Sequence, residues 1–185
     1  MASAFSHAFV ALALGKAPQH PIMTPPVLLL GAVCSIVPDV DVLGFSFGIQ
    51  YGDLWGHRGM THSLFLAGLL SAALIGLFYR NRSASTKAWR CAYFFLCTAS
   101  HGVLDAMTDG GLGVAFLSPF DTNRYFFTVR PVAVSPIGAT EFFSTDALRI
   151  LASEIKWIWF PTIGIYLILR ALHSVWRYKS EKGLR

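Results

Sequence analysis

Charged residues are scarce in this sequence. Asp, Glu, Lys and Arg make up 14% of its 185 residues, whereas hydrophobic residues make up 54%. Soluble domains carry about 25% charged residues, so the composition excludes an ordinary water-soluble domain. It favours a single membrane-embedded domain over residues 1–185.

Cysteine is also scarce, with three residues and no C-x-x-C spacing. This set excludes a disulfide framework and a cysteine-based zinc site. Cys34, Cys91 and Cys97 lie in or beside apolar segments, where we interpret them as small buried side chains. A metal site in this chain would therefore use oxygen and imidazole ligands.

Long apolar segments are present instead. A transmembrane helix needs about 20 mostly apolar residues, and four segments come close to that length. A fifth, Ala2–Gly15, reaches only about 20 Å and is expected to enter the membrane part-way. The absence of Lys or Arg before it favours a retained segment over a cleaved signal peptide. The four longer segments are Pro21–Val37, Thr61–Tyr79, Ala88–Met107 and Ile155–Leu172. We therefore predict an all-α, polytopic integral membrane helical bundle with four to five spans.

The distribution of charge predicts the orientation, because Lys and Arg are retained on the cytoplasmic side of short loops. With five spans, ten of the fifteen basic residues fall on one side, which we assign to the cytoplasm, and nine of the ten acidic residues fall on the other. The net charge of +5 lies mainly in short juxtamembrane loops, where topology and anionic lipid explain it. We expect the lipid bilayer as a partner and no nucleic acid.

One long connection, residues 109–154, is predicted on the external side. It is expected to close with a short amphipathic helix from Thr145, on which Leu148, Leu151, Ile155 and Ile158 share a face. A loop of this length is typical of a functional segment or of a lid over a site.

Seven His and Asp side chains are predicted at the external membrane face. Ionisable residues at membrane depth are costly unless they are paired or bind an ion, so each one is a candidate for function. His101 and Asp105 are four residues apart on one predicted helix, which allows both to bind one ion. The seven predicted metal ligands are His7, Asp39, Asp41, His57, His62, His101 and Asp105.

The local patterns leave alternatives for some of these groups. Gly59 can fold the chain so that His57 and His62 both point inward, with Thr61 as the N-cap of the next helix. Asp39 and Asp41 are expected to divide their roles, one binding metal and the other bridging a second ion or orienting a histidine. As alternatives, His7 is a packed or snorkelling histidine, the two aspartates form a water-exposed helix end, and Arg58 pairs with Asp53 or a lipid phosphate.

The polar motifs carry a family resemblance. The segments "PDVD", "HRGMTHS" (His57–Ser63) and "HGVLD" (His101–Asp105), followed by "LSPFDTNRYFF", resemble bacterial inner-membrane proteins of the YdjM type. That family is described as LexA-regulated, membrane-bound, metal-dependent hydrolases. The resemblance implies a multi-span protein of the bacterial inner membrane with a metal site and hydrolase activity, and it implies no particular substrate.

The ligand types fit this chemistry. A mixed His and Asp set suits zinc, manganese or iron and can hold one or two divalent ions. We expect metal-activated water to attack an ester or phosphoester, with Asp39 or Asp105 accepting a proton and Arg58 or Arg124 holding an anionic group. A site facing the periplasm at headgroup depth would reach a membrane lipid or a lipid-linked substrate. The alternatives are a metal- or proton-coupled transporter and a non-catalytic metal-binding scaffold.

Overall fold

The computed structural model describes residues 1–138, 142–143 and 147–181, with side chains to residue 178. In these ranges the chain is helical and forms no strand, although two isolated bridges join Thr108 to Val132 and Val114 to Tyr125. The all-α prediction is confirmed. The elements are α1 (Ala4–Lys16), α2 (Pro25–Cys34), a 3₁₀ segment (Val37–Phe47), a 3₁₀ turn (Met60–His62), α3 (Leu64–Phe78), α4 (Ala84–Ala106), α5 (Ala147–Glu154), a π segment (Ile155–Trp159) and α6 (Phe160–Glu181).

Two helical stretches are long and apolar enough to cross a membrane. They are Pro25–Phe47 and Ala147–Tyr178, and α1 and α3 are shorter apolar helices. The number of spans, four to five, stays a prediction. So does the external position of residues 109–154.

Helix α4 is the central element, packed against α1 and α2. Tyr93, Phe94 and Cys97 of α4 form a buried apolar core with residues of both helices. At Gly31 of α2 a Cβ atom would lie 2.3 Å from the Tyr93 hydroxyl oxygen, so only glycine allows this close approach. This core fixes α4 between its neighbours and thereby positions the polar C-terminal end of α4.

Helix α3 begins at a different cap from the one predicted. The Ser63 hydroxyl accepts a hydrogen bond from the Leu66 amide at 3.1 Å, so Ser63 is the N-cap. The Thr61 hydroxyl instead donates to Asp41 Oδ2 at 2.6 Å. The prediction of Thr61 as the cap was therefore wrong, because the 3₁₀ turn Met60–His62 precedes the helix and directs this hydroxyl to a carboxylate.

The connection after α4 packs over the C-terminal end of that helix. Its backbone amide at Ala115 donates to the Arg58 carbonyl at 3.0 Å, and that of Phe127 donates to the Ala106 carbonyl at 3.0 Å. Val114 and Val132 in this connection are fully buried. The segment therefore covers the end of α4 on which His101 and Asp105 lie.

The predicted amphipathic face near residue 150 is wrong. Of the residues predicted to share this face, Leu148 is 82% exposed and Ile155 is 39% exposed, whereas Ile158 is 2% exposed. Ile150, which was not predicted on this face, is also 2% exposed. The π segment Ile155–Trp159 changes the helical repeat, so a face counted at 3.6 residues per turn is not maintained across it. Thr145, the predicted start of this helix, lies outside the described residues.

Candidate metal centre

The structure brings the seven predicted ligands into one cluster. His7 comes from α1, Asp39 and Asp41 from the 3₁₀ segment, and His62 from the turn before α3. The loop before that turn supplies His57, and α4 supplies the other two ligands. Every one of the seven is between 0% and 9% exposed. Segments distant in sequence therefore place these ionisable groups together in a region closed to water.

Four of these side chains have the spacing of a single ion site. Asp39, His62, His101 and Asp105 each present one ligand atom to a common centre. The Nε2 atoms of the two histidines are 3.0 Å apart, and both lie 3.2–3.9 Å from Asp39 Oδ1 and Asp105 Oδ2. Atoms that bind zinc tetrahedrally at 2.0–2.2 Å are about 3.4 Å from one another. The four residues therefore fit a divalent ion.

The ring protons of these histidines also favour a cation. His101 Nδ1 lies 2.7 Å from the Ser35 carbonyl oxygen, which can only accept, so Nδ1 carries the proton. His62 Nδ1 lies 3.0 Å from the Thr61 hydroxyl, whose own proton goes to Asp41. With both rings neutral, the two Nε2 atoms are unprotonated and their lone pairs face each other, whereas a proton on either one makes the 3.0 Å contact a hydrogen bond. A cation between the two nitrogens, either a proton or a metal ion, would remove the repulsion.

Asp41 and His57 form an adjacent group that shares His62. Asp41 Oδ1 accepts from His57 Nδ1 at 2.8 Å, while Oδ2 accepts from the Thr61 hydroxyl and lies 3.3 Å from His62 Nδ1. Both Asp41 oxygens are thus engaged, whereas neither Asp39 oxygen has a hydrogen-bond partner. This difference favours Asp39 as a ligand and Asp41 as the residue that orients two histidines.

His7 lies at the edge of the four-residue group. Its ring stacks on that of His101, with centroids 3.8 Å apart, and its Nε2 atom is 3.6 Å from Asp105 Oδ1. Neither His7 nitrogen has a hydrogen-bond partner although the residue is fully buried, and His57 Nε2 is in the same condition. Buried polar atoms rarely stay unpaired, so these atoms are further candidate ligand atoms for an ion.

Arg58 lies inside the cluster and contacts Asp105, Thr108 and Gly110. Its Nε atom is 3.1 Å from Asp105 Oδ2, and its terminal nitrogens donate to the Gly110 carbonyl and the Thr108 hydroxyl. Arg58 adopts φ +64°, and a Cβ at Gly59 would lie 2.3 Å from the Leu54 carbonyl oxygen. This turn aims the guanidinium at Asp105, which differs from the pairings with Asp53 or lipid considered from the sequence.

Arg124 holds the loop that carries His57. One terminal nitrogen donates to the His57 carbonyl at 2.8 Å, and the other donates to the carbonyls of Tyr51 and Asp53. Partial burial lowers the pKa of the Arg124 guanidinium and raises the pKa of the Tyr51 hydroxyl. These contacts make Arg124 a positioning residue in this conformation, and a catalytic role for it stays a prediction.

One residue that supports the candidate centre, Glu154, was not among the site residues predicted from the sequence. Glu154 is fully buried and accepts from the Ser3 amide, the Ser3 hydroxyl and the Ser6 hydroxyl at 2.5–2.7 Å. The Trp159 indole nitrogen also donates to the Ser6 hydroxyl, although residues five apart on an α-helix point about 140° apart. Both side chains reach Ser6 because residues 155–159 form a π segment, whose wider turn brings Trp159 to the same face as Glu154. An acidic residue within an apolar helical segment was the available signal.

The anchored N-terminal segment reaches the candidate metal centre directly. The Ala2 amide donates to Asp105 Oδ1 at 2.8 Å, and His7 follows one turn into α1. Glu154 therefore connects α5 to the α1 side of the cluster.

Comparison with known proteins assigns the chain to a family. A family model described as YdjM inner membrane protein matches residues 1–178. The chain is also 33% identical over 162 residues to inner membrane protein YbcI of Escherichia coli (strain K12), covering 87% of this chain and 92% of that protein. No solved structure matches it. The chain therefore belongs to the YdjM family of inner membrane proteins.

Proposed function

We propose that this inner membrane protein is a metal-dependent hydrolase whose ion is held by Asp39, His62, His101 and Asp105. The observation that carries the proposal is the 3.0 Å approach of the two Nε2 atoms of His62 and His101 between two buried carboxylates. Zinc, manganese and iron all suit these ligands, and His7 or His57 can complete a second position.

The residues around the ion divide the remaining tasks. A divalent ion bound here supplies Lewis acidity that makes water nucleophilic near neutral pH. Neither Asp39 oxygen has a hydrogen-bond partner, so the oxygen that does not face the ion would be available to accept a proton from that water. The Arg58 guanidinium balances the charge of Asp105 and keeps this carboxylate oriented.

The substrate we propose is an ester or phosphoester of a membrane lipid or a lipid-linked molecule. The cluster lies at one end of α4, and the Lys and Arg residues around the other end support a periplasmic position for the site. This end of the helix would then be at the depth of the lipid headgroups, where such bonds are found.

The core beneath the cluster does not favour a transporter. Tyr93, Phe94 and Cys97 and their neighbours in α1 and α2 form an apolar region below His101. A transport pathway needs polar groups that continue across the membrane. In the described part of the chain the ionisable cluster ends at this apolar core.

Metal analysis of the detergent-purified protein, together with hydrolysis assays on ester, phosphoester and lipid panels, tests the proposal. We expect at least one equivalent of ion in the wild type, and the His62→Ala plus His101→Ala double variant should lose both the ion and the activity. His20→Ala and His173→Ala are controls because neither residue belongs to the cluster. Equal metal content in wild type and double variant would refute the site, and bound metal without hydrolysis would identify a scaffold.

A further inference from the structure

An apolar crevice lies beside the metal centre, between the 3₁₀ segment and α3. Its volume is about 290 Å³. One wall comes from the start of the 3₁₀ segment, and the opposite wall comes from α3. Thr61, in the turn before α3, also lines the crevice. The residues that matter here are Val37, Pro38, Thr61, Leu66, Leu70 and Ala73.

The crevice adjoins the least buried edge of the centre. Among the ligands whose side chains are compared, that of Asp39 is the most exposed, at 10%, although both of its carboxylate oxygens are buried, and Pro38 directly precedes this residue. The Thr61 hydroxyl in the crevice donates to Asp41 Oδ2 and lies 3.0 Å from His62 Nδ1. A molecule in the crevice therefore lies next to groups that contact the ligands of the ion.

The opposite wall is continuous with an exposed apolar surface of α3. Helix α3 is apolar along its whole length, and Leu69, which also lines the crevice, is 56% exposed. In an inner membrane protein such a surface faces hydrocarbon. Two further apolar grooves lie between α1 and α6. None of the seven predicted ligands lines any of the three, but Thr61, which contacts Asp41 and His62, lines the crevice and neither groove.

We propose that this crevice binds the hydrocarbon chain of a lipid substrate while the ester or phosphoester bond of that lipid lies at the metal centre. The inference rests on the proposed hydrolase function and adds the chain-binding site to it. The lipid enters sideways from the bilayer, its tail between Pro38 and Ala73, and its polar end passes Thr61 towards Asp39.

Two adjacent alanines provide a matched test. Ala72 and Ala73 are both exposed on α3, but Ala73 alone of the two lines the crevice. We would prepare Ala73→Trp and Ala72→Trp as metal-loaded full chains. Their hydrolysis of dioleoyl phosphatidic acid would be compared with that of the water-soluble dihexanoyl analogue, and native mass spectrometry would measure retention of the dioleoyl lipid.

We expect Ala73→Trp to lose at least about tenfold in activity on the dioleoyl lipid and in its retention, since excluding two methylene groups is worth about that factor. Activity on the dihexanoyl lipid and metal content should remain, and Ala72→Trp should resemble wild type. Equal hydrolysis and equal retention of the dioleoyl lipid by the two variants would refute the crevice as the chain-binding site. If the wild type binds metal but hydrolyses neither lipid and no member of the ester and phosphoester panels, the proposed function fails, and lipid retention alone then decides whether the crevice holds a chain.

Discussion

Arg58 and Arg124 both approach the candidate metal centre, but their surroundings differ. Arg58 is fully buried, and its Nε atom faces the fully buried carboxylate of Asp105. Arg124 is half-buried and donates to backbone carbonyls. Removing one partner of a buried ion pair leaves an uncompensated charge, whereas water can replace a half-buried donor.

We therefore expect Arg58→Met to lower the free energy of unfolding by about 3–5 kcal/mol in metal-free protein. Arg124→Gln should cost at most about 1–2 kcal/mol. Thermal unfolding in detergent measures both. A bound divalent ion also compensates Asp105, so added zinc should recover part of the Arg58→Met loss and little of the Arg124→Gln loss. Equal losses in the two variants, unaffected by zinc, would contradict the assigned pairing.

The sequence predicts the identity of the cluster residues better than their roles. His and Asp residues in an apolar chain are conspicuous, and the four-residue spacing of His101 and Asp105 places both on one helix face. The proton position on His101 depends on the Ser35 carbonyl, 66 residues away, which no local pattern reveals. The direction of Arg58 likewise depends on a left-handed backbone conformation that is uncommon outside glycine.

At the level of elements, the α5 and π segments tie the C-terminal part of the chain to the start of α1. Glu154 accepts three hydrogen bonds from Ser3 and Ser6, and residues 1–7 in turn contact Asp105. Periodicity did not predict this link because the π segment changes the face that is buried. It predicted the apolar character of the helix and missed its one buried carboxylate.

Replacing Glu154 should weaken metal binding, although Glu154 is not one of the candidate ligands of the ion. Glu154→Ala leaves buried donors of Ser3 and Ser6 unpaired, at about 1–3 kcal/mol for each unsatisfied group. It also frees the segment that carries His7. We expect reduced metal retention after dialysis against a weak chelator, with partial recovery in Glu154→Gln, which keeps one acceptor oxygen.

Ser153→Ala is the matched control for this prediction. Ser153 lies on the same helix and accepts from the Ala133 amide at 2.9 Å, with no hydrogen bond to residues 1–7. A loss of metal in the Ser153 variant equal to that in Glu154→Ala would show general destabilisation of α5 and would contradict a specific role for Glu154.

For the whole molecule, α4 relates the metal centre to the orientation in the membrane. Asp105 and Ser83 lie 22 residues apart along this helix, which corresponds to about 33 Å, close to the thickness of a bilayer core. Arg80, Arg82 and Lys87 surround the Ser83 end. Orientation can therefore be predicted from the positions of charge, but the number of spans cannot, because short apolar helices such as α1 and α3 are ambiguous by length.

Cysteine labelling in intact cells tests the orientation. In a variant with Cys34, Cys91 and Cys97 replaced by alanine, single cysteines would be placed at Asn81 and Thr122, which are both exposed. Ser83 would stay unchanged because its hydroxyl caps α4. If basic residues are retained in the cytoplasm, a membrane-impermeant maleimide should label Thr122→Cys once the outer membrane is permeable, and it should label Asn81→Cys only after the inner membrane is disrupted. Labelling of Asn81→Cys from outside would invert the topology, and the metal centre at the opposite end of α4 would then face the cytoplasm.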